Sequence, residues 1–297
     1  VRIVLLGPQR RPTLEGVARS LGLAGPVATI TAGWQEREPD DALLGALLEG
    51  QAVNLALYRR WLDVRDRDPE YYAGEQRLAG ALAELQELYL LRLDYALQAV
   101  YAVQRRPGSA SASGDALGEA LEAVRELDAA HLRRVNEARL EFFDRLRPHD
   151  RPVIAENRAA VSAVLAEAAA LVIAGGHVGV LAEVLHLFNV AAALNGAPVI
   201  AWSAGAMALA DRIVLFGDRS PRGPGHAEVY GSGLSLLRDV VLLPHARARL
   251  LLDDTPRMAV LARRFAPARC VPLEAGTRID VSADGAWPPG IRTIEAA

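Results

Sequence analysis

The chain has 297 residues, 51% hydrophobic and 23% charged, a composition that suits a soluble protein with a sizeable core and excludes disorder, collagen and membrane spanning. Its 33 basic and 36 acidic residues leave a formal charge of −3, so a phosphate backbone gains no net attraction and nucleic acid is not an expected partner. Lysine is absent, which excludes a Walker A loop, a protein kinase, Schiff-base or pyridoxal chemistry and a Ser–Lys dyad, because arginine stays charged and cannot act as a base.

No cofactor is expected. The single cysteine, Cys270, rules out a disulfide framework within the chain and a cysteine-rich zinc site, and no metal site is expected. The opening Val1-Arg-Ile-Val-Leu-Leu-Gly7 reads as a buried strand without a basic leader, so the expected location is cytoplasmic, with no membrane partner.

In chain order, Ile3 to Leu6 predicts a strand, Thr13 to Leu21 a helix and Val27 to Thr31 a second strand. From Asp41 to about Asp150 helical periodicity takes over. Residues 43–62 read as one helix. Leu78, Leu82, Leu85, Tyr89, Leu93, Ala96, Val100 and Val103 recur at three and four along one face of a long helix. Pro107 to Gly114 reads as a flexible loop, after which Leu117, Leu121, Val124, Val135, Ala138 and Phe142 continue the helical spacing.

Beyond Pro152 strands and helices alternate. Strands are predicted at 170–174, 198–202, 212–216, 240–243, 270–273 and 277–281, and helices at 155–169, 180–195, 204–210 and 254–265. The expected fold is α/β, a mostly parallel sheet with helices on both faces. It comprises residues 1–40 and 151–297, with 41–150 as an inserted helical subdomain.

Ligands of such sheets gather at the carboxyl ends of strands. Val199-Ile-Ala-Trp-Ser203-Ala-Gly-Ala206 is a strand, a serine with small residues at −2 and +2, and a helix-compatible segment. That is the pattern of a nucleophile elbow, although an ordinary turn with a capping serine has it too. Gly175-Gly-His-Val-Gly179 follows another strand. The amides of Gly176 and Ala204 could form an oxyanion hole, with His177 as an oxyanion or substrate contact, while a phosphate turn or close packing are the plainer readings. His245 ends the 240–243 strand and is the imidazole a serine nucleophile requires. Its orienting acid would be Asp218, after the 212–216 strand, or Glu228 as second choice. His131, His149, His186 and His226 follow no strand and are expected to be structural.

The elbow Trp202-Ser-Ala-Gly-Ala206, the glycine turn, the strand-end His245 with arginines and Leu273-Glu-Ala-Gly-Thr277 resemble the serine peptidases that include dipeptidase E and cyanophycinase. These share the class I glutamine amidotransferase-like fold. The resemblance implies Ser203, Asp218 or Glu228, and His245 as a catalytic triad acting on a small peptide substrate. It also implies a peptide or isopeptide bond beside an acidic residue, with Arg247 or Arg249 clamping the carboxylate. An α/β-hydrolase is disfavoured because the separation of 42 from Ser203 to His245 is too short for its βα units, and a glutaminase because the elbow carries serine. The alternative function is a non-catalytic binding or regulatory protein whose helical insertion is the interaction surface, with a homodimer through that insertion as a candidate assembly.

Overall fold

The computed structural model describes residues 1–9, 12–106, 110–218 and 225–295. Its elements in chain order are β1 (Ile3–Leu6), α1 (Leu14–Ser20), β2 (Val27–Ile30), α2 (Ala42–Leu47), β3 (Ala52–Asn54), α3 (Leu57–Arg67), α4 (Pro69–Arg105), α5 (Ala110–Leu146) and α6 (Pro152–Glu167). There follow β4 (Ala170–Ile173), α7 (Val178–Leu187), β5 (Val199–Trp202), α8 (Ala204–Met207), β6 (Ile213–Leu215), β7 (Glu228–Gly231), β8 (Val240–Pro244), α9 (Ala246–Arg249), α10 (Thr255–Phe265), β9 (Arg269–Leu273) and β10 (Arg278–Val281).

β1, β2, β4 and β5 are apolar along nearly their whole length and buried at every position, which requires cover on both faces of the sheet. They form the centre of a six-stranded sheet of order β10-β1-β5-β4-β2-β3, parallel throughout except for β10. The two-residue alternation of the strands divides the core. Val4, Leu6, Val27, Val172, Ile200 and Trp202 pack with Leu14 and Val17 of α1 and Leu44 of α2. Ile3, Leu5, Ile30, Leu171, Ile173 and Ala201 face α3, α6, α7 and the long helices. Each fully buried Leu or Ile contributes about 1.5–3 kcal/mol. Two smaller sheets stand apart: antiparallel β6-β7 and parallel β8-β9.

Residues 43–62 are not one helix. Glu49 and Gly50 at φ 53° and 78° end α2, and Ala52–Asn54 then pairs in parallel with β2. Three residues are too short a run to show a period of two, so the strand was hidden between helical patterns. The α/β chain path thus continues to Asn54, and α2 is the crossover between β2 and β3. The helix expected over 180–195 stops at Leu187, where Asn189 turns at φ 52° into a 3-10 turn, Val190–Ala193. The expected 107–114 loop lies outside the described residues at 107–109, and from Ala110 on the chain is already helical. β7, half-polar and ending in glycine, is a further strand beyond those expected.

α4 and α5 are 37 residues each, about 55 Å long, and pack against each other as a hairpin whose inner side carries Leu78, Tyr89, Leu93, Val100, Leu121, Val124 and Phe142. Leu97 is buried and Ala96 only partly so, a one-residue shift of the predicted face. α4 begins where Pro69 follows Asp68, whose carboxylate accepts the Tyr71 N–H at 2.9 Å, a strong helix start. A buried network seats the hairpin on the rest of the molecule. Arg264 of α10 donates to both oxygens of Asp128 at 2.7 Å, to the Tyr89 hydroxyl at 3.0 Å and to the Ala227 carbonyl at 2.6 Å. Tyr89 in turn accepts the Val229 N–H of β7. No helix among the described residues is long and apolar enough to cross a membrane.

Candidate active site

A cleft of about 520 Å³ opens above the carboxyl ends of β1, β2, β4, β5 and β8, the place where open α/β sheets bind ligands. Each of these strands delivers residues to it: Pro8 and Gln9 after β1, Trp34 after β2, Gly175 and Gly176 after β4, Ser203 and Ala204 after β5, and His245 after β8.

Ser203 sits at φ 51° and ψ −123°, a conformation that a side-chain-bearing residue holds only at a cost of about 1–3 kcal/mol. Its neighbours are small because there is no room: a Cβ on Gly205 would lie 2.4 Å from the Ile173 carbonyl oxygen, and one on Gly175 would lie 2.9 Å from the Ser203 Cβ. The sharp turn therefore lifts the serine out of the strand direction while the β4 loop presses directly against it. His245 is also at positive φ, 58°. Its N–H is held by the Leu273 carbonyl at 3.0 Å, continuing the β8-β9 register in which Pro244 pairs with Leu273. Two strained strand ends thus bring a hydroxyl and an imidazole into the same cleft, and Gln35 after β2 adopts nearly the backbone angles of Ser203 (φ 57°, ψ −124°).

The structure brings Ser203, His245, Gly176, Ala204 and Arg249 together in the lining of this cleft. Arg249 also lies over the Phe216 ring, 5.7 Å from its centroid. The other candidates are placed elsewhere. Asp218 is buried and accepts from Leu251 N–H at 3.0 Å and Arg257 Nη2 at 2.6 Å, so it grips the chain just beyond α9. Glu228, in β7, accepts from Gln86 of α4 at 3.2 Å, and burial pushes its carboxyl up. Arg247 is exposed. His177 caps α7, its Nδ1 accepting the Val180 N–H at 3.1 Å.

The glycine loop separates two cavities. Gly175, Gly176 and Val178 line the Ser203 cleft, whereas His177, Gly179 and Val180 line a second cavity of about 450 Å³ together with Trp61, Glu75, Glu183 and Tyr230. His177 therefore faces the helical hairpin rather than Ser203.

A carboxylate to which the sequence assigned no role, Glu274 of the Leu273–Thr277 motif, lies next to His245 in strand register. Glu274 follows β9 as His245 follows β8, and its Oε1 accepts the Arg247 N–H at 2.7 Å. The parallel β8-β9 pairing that aligns them was the missing signal. Cys270 is buried in β9 and burial pushes its thiol up to about 12, which keeps it protonated and unreactive. The remaining histidines pack or bond locally: His131 stacks on Tyr89, His186 reaches the Ser232 carbonyl, His226 faces Asp94 and His149 faces Asp150. Among the described residues no group of three His, Cys, Asp or Glu is placed to hold a metal ion.

No family model and no curated protein matches this sequence. Among solved structures, one described as a peptidase from an acI-B1 Actinobacterium aligns over 100% of this chain and 91% of that chain, with 12% sequence identity and a TM-score of 0.47. At that level of likeness, the chemistry of this chain rests on its own residues.

Proposed function

We propose that the chain is a serine hydrolase of the class I amidotransferase-like type, akin to dipeptidase E and cyanophycinase, acting on a peptide or isopeptide bond. One observation carries the reading. Ser203 and His245 stand at strained strand ends in one cleft that also contains the Gly175-Gly176 turn. Strain such as that at Ser203 persists only where the surrounding structure holds it, and such positions cluster at active sites.

In the acylation step the Ser203 Oγ attacks the substrate carbonyl and its proton passes to His245. The amides of Gly176 and Ala204 stabilise the charge that develops on the carbonyl oxygen. His245 then returns the proton to the departing amine, and the C–N bond breaks. A water, deprotonated by the same imidazole, releases the acyl group and restores the serine hydroxyl. Asp218 and Glu274 act as positioning residues. Each holds a backbone N–H of the segment that follows His245, at Leu251 and Arg247 respectively, and thereby fixes the turn that carries His245. Among the described residues of the cleft lining, Arg249 supplies the guanidinium to pair with an acidic residue beside the scissile bond.

Hydrolysis of aspartyl, isoaspartyl and uncharged dipeptides by wild type and Ser203→Ala tests this. Turnover by wild type alone is expected, whereas turnover surviving in Ser203→Ala contradicts it. The second reading, a binding role for the helical hairpin, is favoured by Leu88, Leu91 and Tyr95 of α4. They recur at helical spacing and are exposed. It gains if folded wild type is inert throughout the panel.

A further inference from the structure

The wall of the Ser203 cleft built by α2 is apolar in a way that the fold alone does not need. Leu44 is buried beneath α2 and Leu47 packs on the same core, but Leu43, on the cleft side, is 63% exposed. The half-buried Trp34 and Leu47 continue this surface, backed by the buried Leu14 and Pro8. Solvent-facing apolar residues scattered over a surface need no explanation, whereas a contiguous set inside a cleft marks a binding surface. The described lining contains no carboxylate, and its arginine, Arg249, belongs to the other side of the sheet. Leu14, Trp34, Leu44, Leu47 and Trp202 pack with the α1/α2 core, while Ala204, Met207, Leu215 and Val178 pack with the opposite one.

We propose that the α2 wall is a subsite for a bulky hydrocarbon group of the substrate, one the size of a medium-chain acyl group or a large aliphatic side chain. The proposal rests on the reading of Ser203 as the nucleophile, and the covalent steps are those described above. An occupant of this kind covers Leu43 and Trp34, expels their water and dries the surroundings of Ser203. Among the described lining residues, none on the α2 side offers a charged side chain a counter-ion.

The test compares kcat/KM for p-nitrophenyl octanoate and butyrate in wild type, Ser203→Ala and Leu43→Asp, with calorimetric binding of octanamide and butanamide to wild type and Leu43→Asp. A buried methylene is worth about fourfold, so octanoate is expected to exceed butyrate by more than about tenfold. Leu43 is exposed, so its replacement leaves the fold intact, and in Leu43→Asp the preference falls towards parity. Ser203-dependent hydrolysis that treats both esters alike overturns the subsite and spares the serine chemistry. If neither ester is hydrolysed in a Ser203-dependent way, the serine reading fails, and amide binding still decides the subsite. A Leu43-dependent preference for octanamide upholds it, and equal binding of the two amides overturns it.

Discussion

Gly205 shows how little freedom the elbow has. The carbonyls of Ile173 and Ala174 occupy the space where its side chain would be, so Gly205→Ala is expected to destabilise the protein by about 1–3 kcal/mol and to lower the reactivity of Ser203. Urea unfolding with parallel labelling of the serine checks both. Glu75 is a second residue with a definite expectation. It is 7% exposed, its Oε1 accepts from Trp61 Nε1 at 2.6 Å, and its Oε2 has no hydrogen-bond partner. Burial pushes its carboxyl from the usual range up to about 7, against the pull of the Trp61 hydrogen bond. The folded state then binds more protons than the unfolded one between about pH 4.5 and 7, so this group erodes stability as pH rises through that window. Glu75→Gln is expected to gain about 1–3 kcal/mol on wild type at pH 8, and to lose most of that advantage at pH 5. The same difference in stability at both pH values contradicts the assignment.

At the scale of elements, the hairpin is held to the α/β body by charge buried in apolar surroundings. Arg264 and Asp128 are both nearly inaccessible, and Arg264 reaches α4, α5 and the chain entering β7 at once. Removing one partner strands a buried charge, so Asp128→Leu and Arg264→Met are each expected to cost about 3–5 kcal/mol. The pair Asp128→Leu with Arg264→Met should recover part of the loss, a non-additivity that a double-mutant cycle measures. The strands β1, β2, β4, β5, β8, β9 and β10 and the two long helices were legible in the sequence, because unbroken apolar runs and long helical periods are strong local signals. β3 and β7 were not. β3 is three residues long, and β7, Glu228-Val-Tyr-Gly231, is half-polar with a glycine. The site divides the same way. Ser203, Gly176, Ala204 and His245 follow apolar strands directly and could be selected from the sequence. The partners of Asp218, the direction of His177 and the place of Glu274 depend on pairings across 33 or 27 positions, or on the docking of the hairpin, which no local pattern encodes.

On the scale of the whole molecule, one apolar cluster runs from Tyr71 and Phe142 in the hairpin through α6 and α7 to the sheet and on to Phe265. Insertion and body share this core, so thermal unfolding is expected to be a single transition with equal calorimetric and van't Hoff enthalpies. Two resolved transitions contradict the shared core. The same continuity places the second cavity between hairpin and α7, where it shares the 175–180 loop with the Ser203 cleft. The proposed chemistry nevertheless depends on one hydroxyl being activated by one imidazole. The direct measurement is reaction of the folded protein with a fluorophosphonate, followed by intact-mass and peptide mapping. A single adduct on Ser203, formed by wild type and lost in His245→Ala, is the predicted result. An unmodified protein, or an adduct that forms equally well without His245, contradicts the account.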